Sequence, residues 1–172
     1  KKDCHVDAVR LRVWVNPASG WNNADDVLVK ARRAAALGLR VMIDFHFSDS
    51  WADPRQQTVP AAWAGYDLPQ MKTAVAAHVT SVLTKLKSFG ITPEWVQVGN
   101  ETRTGMLWPL GSIDKGGNYA ELSNAGYDAV KAVFPGAKVI VHVDCGDNLA
   151  FYTRVFDYML SLIHISEPTR PL

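Results

Sequence analysis

One short stretch of the sequence, Trp95-Val-Gln-Val-Gly-Asn-Glu101, carries the residue best suited to acid/base chemistry. The stretch is typical of an apolar strand that ends abruptly in a Gly-Asn-Glu turn, so Glu101 lies where a buried strand stops. Burying a carboxylate is costly unless the group is used or paired, and the C-terminal ends of the strands carry the active site of a parallel barrel. Glu101 is therefore a candidate catalytic residue. The alternative is that it only caps the following helix.

Polar side chains also collect at the C-terminal ends of three other predicted strands. Taken singly they are weak candidates, because His46 and His142 resemble ordinary core histidines, and Asp44 and Arg12 could form a structural ion pair. Polar groups at the same end of four strands nevertheless favour a functional site over a purely structural network. Strand by strand, the candidates are Arg10, Arg12 and Trp14; Asp44 and His46; Gln97 and Glu101; and His142 and Asp144.

Three tryptophans, Trp51, Trp63 and Trp108, lie in polar loops that follow predicted strands. An aromatic ring in such a loop has no helix to pack on, and loops at strand ends commonly carry binding residues. Indole rings present a broad apolar face together with a polar N–H group. These tryptophans are therefore predicted to form a platform for a ligand.

Strands and helices alternate along the chain, which predicts parallel βαβ units. Four such units amount to about half of a (β/α)₈ TIM barrel, which typically needs ~250 residues. The fold class is therefore predicted to be α/β, a partial TIM barrel, with a doubly wound open sheet as the alternative. The predicted strands are 9–15, 39–45, 95–98 and 138–143, and the predicted helices are 24–37, 69–89, 119–134 and 149–160.

The bulk composition is that of a single globular domain. The 172 residues are 48% hydrophobic and 20% charged, with a formal net charge of +1. This balance gives no support for a nucleic-acid or anionic-membrane partner, which would need clustered lysine and arginine. Cys4 and Cys145 are far apart and form no metal or redox spacing. No stretch approaches the ~18 apolar residues of a membrane span, and no secretory signal is visible.

The last twelve residues, 161–172, break the alternation of strands and helices and end on two prolines. They resemble translated adapter or vector sequence, and we interpret them as a non-native tail. The catalytic domain is accordingly expected to occupy residues 1–160.

Four blocks of sequence, in this order and spacing, resemble glycoside hydrolase family 53, the endo-β-1,4-galactanases. The resemblance extends over about residues 9–160. The first two blocks are 10–17 and 44–54, the latter extended by Pro60-Ala-Ala-Trp63. The others are 95–101, extended by Gly105-Met-Leu-Trp-Pro109, and Val141-His-Val-Asp144.

This resemblance implies a retaining mechanism, in which two carboxyl groups flank the scissile bond about 5–5.5 Å apart. Glu101 matches the family's general acid/base, and Asn100 matches the neighbour that hydrogen-bonds the sugar 2-OH. Arg12 resembles an arginine that lies near the nucleophile and keeps it ionised. The family's nucleophile is a glutamate of the seventh strand, beyond this chain, so the chain alone is expected to be inactive. The remaining matches to the family's cleft are His46, Asp49, Trp51, Trp108, His142 and Asp144.

The same resemblance implies a secreted, bacterial enzyme, monomeric at full length, that acts on plant cell-wall galactan. No cofactor or metal is expected in this chain, and calcium is expected only in later loops of the whole protein. Three alternatives stay open. They are a barrel glycosidase for another β-glycan, such as a mannanase or cellulase; a metal-dependent hydrolase that uses His46, His142 and Asp144; and a non-catalytic carbohydrate-binding protein.

Overall fold

A computed structural model describes residues 5–166, with side chains through Met159. Strands and helices alternate as predicted, and an additional 3₁₀ turn spans Ala61–Trp63. The last helix runs past residue 160, where its prediction ended, and residues 167–172 and Cys4 lie outside the described residues. The elements are β1 (Ala8–Val13), α1 (Ala24–Ala36), β2 (Arg40–Phe45), α2 (Leu68–Ser88), β3 (Trp95–Val98), α3 (Asn118–Val133), β4 (Lys138–Ile140) and α4 (Leu149–Ser166).

The four strands form one parallel sheet in the order β1-β2-β3-β4. Each strand therefore adds on the same side of the previous one, as in a (β/α)₈ barrel. A doubly wound sheet reverses its strand order at a switch point, so the described sheet excludes that alternative. The register aligns one row of residues across the sheet: Arg12, Asp44, Gln97 and Ile140.

The two faces of the sheet differ in chemistry because side chains alternate along each strand. One face is apolar and packs against the helices, and its central residues are fully or almost fully buried. Removing each such side chain from water stabilises the fold by about 1.5–3 kcal/mol. The other face carries the row that contains Asp44 and Gln97. The central residues of the helix-facing side are Val13, Ile43, Phe45, Val96 and Val98.

Polar caps fix where the first two helices begin. The Asn23 side chain accepts hydrogen bonds from the backbone N–H groups of Asp25 and Asp26 at the start of α1. At the start of α2, Asp67 and Gln70 form a capping box in which each side chain accepts from the other's backbone N–H. These bonds satisfy N–H groups that have no partner within the helix.

Helix α3 packs unusually closely against β3. A Cβ atom at Gly126 would lie 2.6 Å from Cγ1 of Val98, the last residue of β3. A Cβ atom at this position would require the almost fully buried Val98 side chain or the helix to shift. The close approach positions the end of β3, from which the Gly99–Glu101 turn leaves the sheet.

Strands β1 and β4 end earlier than predicted because their continuations bond to loops instead of to the sheet. Beyond β1, the N–H of Trp14 donates to the carbonyl oxygen of Asn22, and that of Val15 to Ser48. Beyond β4, the carbonyl oxygen of His142 accepts from the N–H of Thr102. Within residues 5–166, no helix has the length and apolar character needed to cross a membrane.

Candidate active site

Glu101 lies in a tight turn directly after β3. Gly99 has φ +88° and Glu101 has φ +49°, the left-handed region that residues other than glycine rarely adopt. Three hydrogen bonds to two residues hold the turn: Glu101 N–H donates to His142 Nδ1 (3.2 Å), Thr102 N–H donates to the His142 carbonyl (2.8 Å), and Gln57 Nε2 donates to the Asn100 carbonyl (2.9 Å). The alternative that Glu101 caps a helix is wrong, because α3 begins at Asn118 with Gly117 as its N-cap.

The buried side chain of Asn100 connects this turn to β1 and to the loop after β2. Its Oδ1 accepts from Arg10 Nη2 at 2.6 Å, and its Nδ2 donates to the Ala52 carbonyl at 2.7 Å. An amide nitrogen carries two hydrogens, so one N–H bond of Asn100 is left for a further acceptor. Asn100 lines the same cavity as Glu101.

Asp44 is the buried carboxylate of the site, and its ion-pair partner is Arg10. The Arg10 Nη2 atom lies 3.0 Å from Asp44 Oδ2, and His46 Nε2 lies 3.1 Å from the same oxygen. Gln97 Nε2 donates to the other carboxylate oxygen. The alternative that Arg12 and Asp44 form a structural ion pair is therefore wrong, because the ion-pair partner of Asp44 is Arg10. Arg12 is the register neighbour of Asp44, and Arg10 is the neighbour of Met42, two residues earlier on β2. The long Arg10 side chain nevertheless extends along the sheet to Asp44.

His46 has both ring nitrogens occupied within the protein. Its Nδ1 accepts from the Ala52 N–H at 3.1 Å, which places the ring hydrogen on Nε2, facing Asp44. The ring is almost completely buried, although it lines the cavity next to Glu101. His46 therefore orients Asp44 and the loop at Ala52.

Trp51 provides an exposed aromatic surface beside Glu101, with 44% of the residue accessible to solvent. The guanidinium carbon of Arg12 lies 4.7 Å from the centre of the Trp51 ring and 5.8 Å from that of Trp14. The His46 ring packs against Trp51 edge-on at 5.2 Å. Cation–π and edge contacts of this kind hold an exposed indole in place.

Two cavities meet at Glu101 and Trp51, which line both of them. One, of about 240 Å³, is further lined by Arg10, Arg12, Asp44, His46 and Asn100. The other, of about 270 Å³, is further lined by Asp53, Pro54, Arg55, Arg103 and Asp144. Glu101 and Trp51 therefore lie between two adjoining cavities.

The other predicted site residues divide into two groups. His142 lies beside the Glu101 turn, and burial together with the Arg10 charge lowers the pKa of its ring. Asp144 lines the second cavity, where its Oδ2 lies 3.3 Å from Arg103 Nη1. Asp49, in contrast, uses both carboxylate oxygens to accept backbone N–H groups, those of Asn16 and Ala61 at 2.9 Å each, and so joins the loop after β2 to the loop after β1.

Two of the predicted platform tryptophans lie away from Glu101. Trp108 donates its indole N–H to the Thr104 carbonyl at 3.0 Å and lines a separate, mainly apolar cavity of about 550 Å³. Trp63 is buried, lines the same cavity and packs edge-on against His78 at 6.0 Å. Of the three, only Trp51 lines the cavities that Glu101 borders.

A metal centre is not supported by the described part of the chain. Among the side chains described, those of residues 5–159, no group of three or more histidine, cysteine, aspartate or glutamate residues is arranged to hold a metal ion. His46 already bonds to the protein through both ring nitrogens. Cys145 is an exposed free thiol.

Comparison with known proteins gives the family. The family model described as "Glycosyl hydrolase family 53" matches residues 1–162. The chain belongs to this family. It is 42% identical, over 143 residues, to an arabinogalactan endo-beta-1,4-galactanase of Thermothelomyces thermophilus. The aligned region covers 82% of this chain and 43% of that relative.

Solved structures of family 53 share the fold. The chain superposes with a TM-score of 0.87 on a structure of fungal beta-1,4-galactanases, at 39% identity, covering 91% of this chain and 47% of that one. The GH53 catalytic domain of Ignisphaera aggregans gives the same TM-score at 34% identity, covering 93% and 46%. The predicted fold class, a partial (β/α)₈ barrel, is confirmed. The chain spans about half the length of the curated relatives it matches.

The sequence does not assign a role to several residues that line or support the candidate site. Arg10 is predicted only as one of the polar residues of β1, yet it joins Asp44 to Asn100. The signal in the sequence is that Arg10 and Arg12 lie two residues apart on β1, which places both side chains on the same face of the strand. This spacing does not show which of the two arginines contacts which partner. Gln57, Arg55 and Arg103 lie in loops, where no periodic pattern marks a side chain that turns inward.

Proposed function

We propose that the protein to which this chain contributes is a retaining endo-β-1,4-galactanase, with Glu101 as its general acid/base. The observation that carries this proposal is the position of Glu101 between two cavities that share Trp51 as a wall. Relatives that cover most of this chain are named arabinogalactan endo-beta-1,4-galactanases.

In the proposed reaction Glu101 first donates its proton to the glycosidic oxygen of the departing sugar. It then removes a proton from the water that hydrolyses the covalent glycosyl-enzyme intermediate. The second carboxyl group of such a mechanism lies about 5–5.5 Å away, and we propose that a glutamate outside this chain supplies it. On this account the chain by itself is inactive.

The cavity that Asn100 lines suits the sugar whose anomeric carbon reacts. The remaining N–H of Asn100 can donate to a sugar hydroxyl, and the Arg10 contact at 2.6 Å fixes the amide orientation. A hydrogen bond that strengthens in the transition state raises the rate as well as the affinity. The second cavity, on the other side of Glu101, then takes the departing part of the chain. A cleft occupied on both sides of the cleaved bond fits an endo-acting enzyme.

We propose plant cell-wall galactan as the substrate and Trp51 as the stacking surface for its sugar rings. A polymer of that size cannot enter a cell, so the whole enzyme is proposed to be secreted. Bacterial origin, a monomeric state, a calcium ion elsewhere in the whole protein and the role of Arg12 beside the nucleophile stay predictions.

The test uses the whole protein with Glu101→Gln, which keeps the shape of the side chain and removes its acid/base function. Galactan hydrolysis, measured as released reducing ends, should fall by about 10²- to 10⁴-fold, the usual contribution of general acid/base catalysis. Glu94→Gln is the matched control. Glu94 precedes the same strand and pairs with Arg40 and Lys138, so its loss should leave the rate unchanged.

A second experiment separates the acid/base role from a structural one. Glu101→Ala should still cleave an aryl galactobioside, whose good leaving group needs little protonation. Added azide should then speed turnover by attacking the anomeric carbon of the glycosyl-enzyme and displacing the enzyme carboxylate, to give a glycosyl azide. Undiminished galactan hydrolysis by either Glu101 variant would contradict the proposal. Retained galactan binding without any hydrolysis by the wild type would favour a carbohydrate-binding protein, and faster cleavage of mannan or cellulose would favour another β-glycan.

A further inference from the structure

His142 makes three hydrogen bonds to the turn that contains Glu101, and no sequence pattern predicted them. Its carbonyl oxygen accepts from Thr102 twice, from the backbone N–H at 2.8 Å and from Oγ1 at 3.1 Å. Its ring Nδ1 lies 3.2 Å from the backbone N of Glu101. Two consecutive residues of the turn are therefore bonded to one residue that follows the neighbouring strand.

The surroundings of Nδ1 determine where the ring hydrogen lies. Two N–H donors point to this atom, the Glu101 backbone N at 3.2 Å and Arg10 Nη2 at 3.3 Å. Against these two donors stands one acceptor among the described residues, Asn100 Oδ1 at 3.0 Å, which accepts from Arg10 and has a second lone pair that a hydrogen on Nδ1 would use. A hydrogen on Nδ1 would face the Glu101 N–H and leave that donor without its partner, which is costly in a partly buried site. The geometry therefore favours a ring with its hydrogen on Nε2.

The charges around the ring are mixed, and burial is the largest influence on it. Burial and the Arg10 charge lower the pKa of His142, whereas Asp44, Glu101 and Asp144 raise it, with a net shift below the ordinary value. An uncharged ring near neutral pH leaves Nδ1 free to accept. This is the state that the hydrogen bond from Glu101 requires.

We propose that His142 is a positioning residue for the acid/base: its Nδ1 accepts the Glu101 amide hydrogen and so fixes the direction of the Glu101 carboxyl group. The inference rests on the proposed function of Glu101. Glu101 has a left-handed backbone, which persists only where the surroundings determine it. Without the acceptor its peptide can rotate, and a displacement of about 1 Å at a reacting group costs roughly 10²-fold in rate.

The first test needs no substitution. In the whole protein labelled with ¹⁵N-histidine, long-range ¹H–¹⁵N spectra at neutral pH should show His142 with Nδ1 unprotonated and Nε2 protonated. The Glu101 amide should also be protected from hydrogen exchange. A protonated Nδ1 would overturn the proposal.

The second test compares two substitutions kinetically. His142→Asn places a side-chain oxygen close to the position of Nδ1 and keeps the acceptor, whereas His142→Leu removes it. We expect His142→Leu to lower kcat by about 10²-fold with KM changed less than about twofold. His142→Asn should recover to within about threefold of wild type. Equal impairment of both variants, or none in His142→Leu, would overturn the proposal.

His78→Phe serves as the control for a general loss of stability. His78 is a core histidine packed among Phe45, Phe47 and Trp63, so this variant should keep the wild-type kcat at temperatures where it is folded. The Glu101→Gln result keeps the two proposals distinguishable. If Glu101→Gln is fully active, the proposed function fails, whereas an inactive Glu101→Gln together with a fully active His142→Leu refutes only the role of His142.

Discussion

The two faces of the sheet use the same strands in different ways. On β2, Ile43 and Phe45 face the helices and are completely buried, whereas Asp44 faces the interior and is buried almost as completely. The apolar face needs only shape and volume from its neighbours. The polar face needs a defined partner for every atom, and Asp44 finds Arg10, His46 and Gln97. The face that carries the chemistry is therefore also a stabilising part of the fold.

The largest expected effect is on the polar face. Asp44→Ala removes the carboxylate and leaves the buried Nε2 groups of His46 and Gln97 each short of one acceptor, whereas Arg10, whose side chain is 41% exposed, keeps its bond to Asn100. A buried donor without its acceptor costs about 1–3 kcal/mol, so the loss of both acceptor contacts should lower the free energy of unfolding in urea by about 4 kcal/mol. Asp25→Ala is the control, because its pair with Lys85 is largely exposed and worth less than about 1 kcal/mol. A loss below that of Asp25→Ala would show that the polar face adds nothing to stability.

The apolar face should lose stability without losing ligand binding. Ile43→Ala leaves a cavity in the layer between β2 and the helices, and such a change costs about 2–5 kcal/mol. We expect about 3 kcal/mol in urea unfolding, with the affinity for galactan unchanged in affinity electrophoresis. Weaker galactan binding by the folded variant would show that the two faces are coupled.

His78 lies behind the apolar face and should make stability depend on pH. Burial lowers its pKa to about 4, partly offset by the charge of Asp49. Because the unfolded chain has the ordinary pKa of 6.5, it binds the proton more readily. The free energy of unfolding should therefore decrease as the pH falls from about 6.5 to about 4, by at most about 3 kcal/mol. Urea titrations of wild type and His78→Phe across this range should differ, the variant losing less; identical slopes would contradict the assignment.

The smallest expected effect concerns the loop at the edge of the polar face. Trp51→Ala removes the proposed stacking surface and should weaken galacto-oligosaccharide binding about tenfold, measured by titration calorimetry with the whole protein. Trp21→Ala is the matched control, because Trp21 is even more exposed, at 66%, but lines none of the cavities at Glu101. Equal losses in the two variants would show that Trp51 has no specific role.

The sequence predicted those parts of the molecule that depend on periodicity. Alternation along the strands placed Ile43 and Asp44 on opposite faces, and the parallel arrangement placed Glu101 and His142 at the same end of the sheet. Whether Arg10 or Arg12 pairs with Asp44 depends on side-chain length and sheet geometry, which parity does not contain. The loops could not be predicted because their side-chain contacts follow no periodic pattern. Asp49 accepts the backbone N–H groups of Asn16 and Ala61 instead of lining the cavities at Glu101, and the 3₁₀ turn at Trp63 buries a ring expected at the surface.

The missing side chain at Gly126 has a consequence for how sequences of this kind can diverge. Replacing a glycine inside a helix by alanine ordinarily stabilises the helix by about 1 kcal/mol. At most helix positions such a substitution is therefore favourable. At residue 126 the added methyl group would collide with Val98 and push on the strand end three residues before the acid/base. We therefore expect Gly126→Ala to lower the activity of the whole protein by displacing the end of β3. Improvement of α3 by consensus or directed evolution must leave this glycine unchanged.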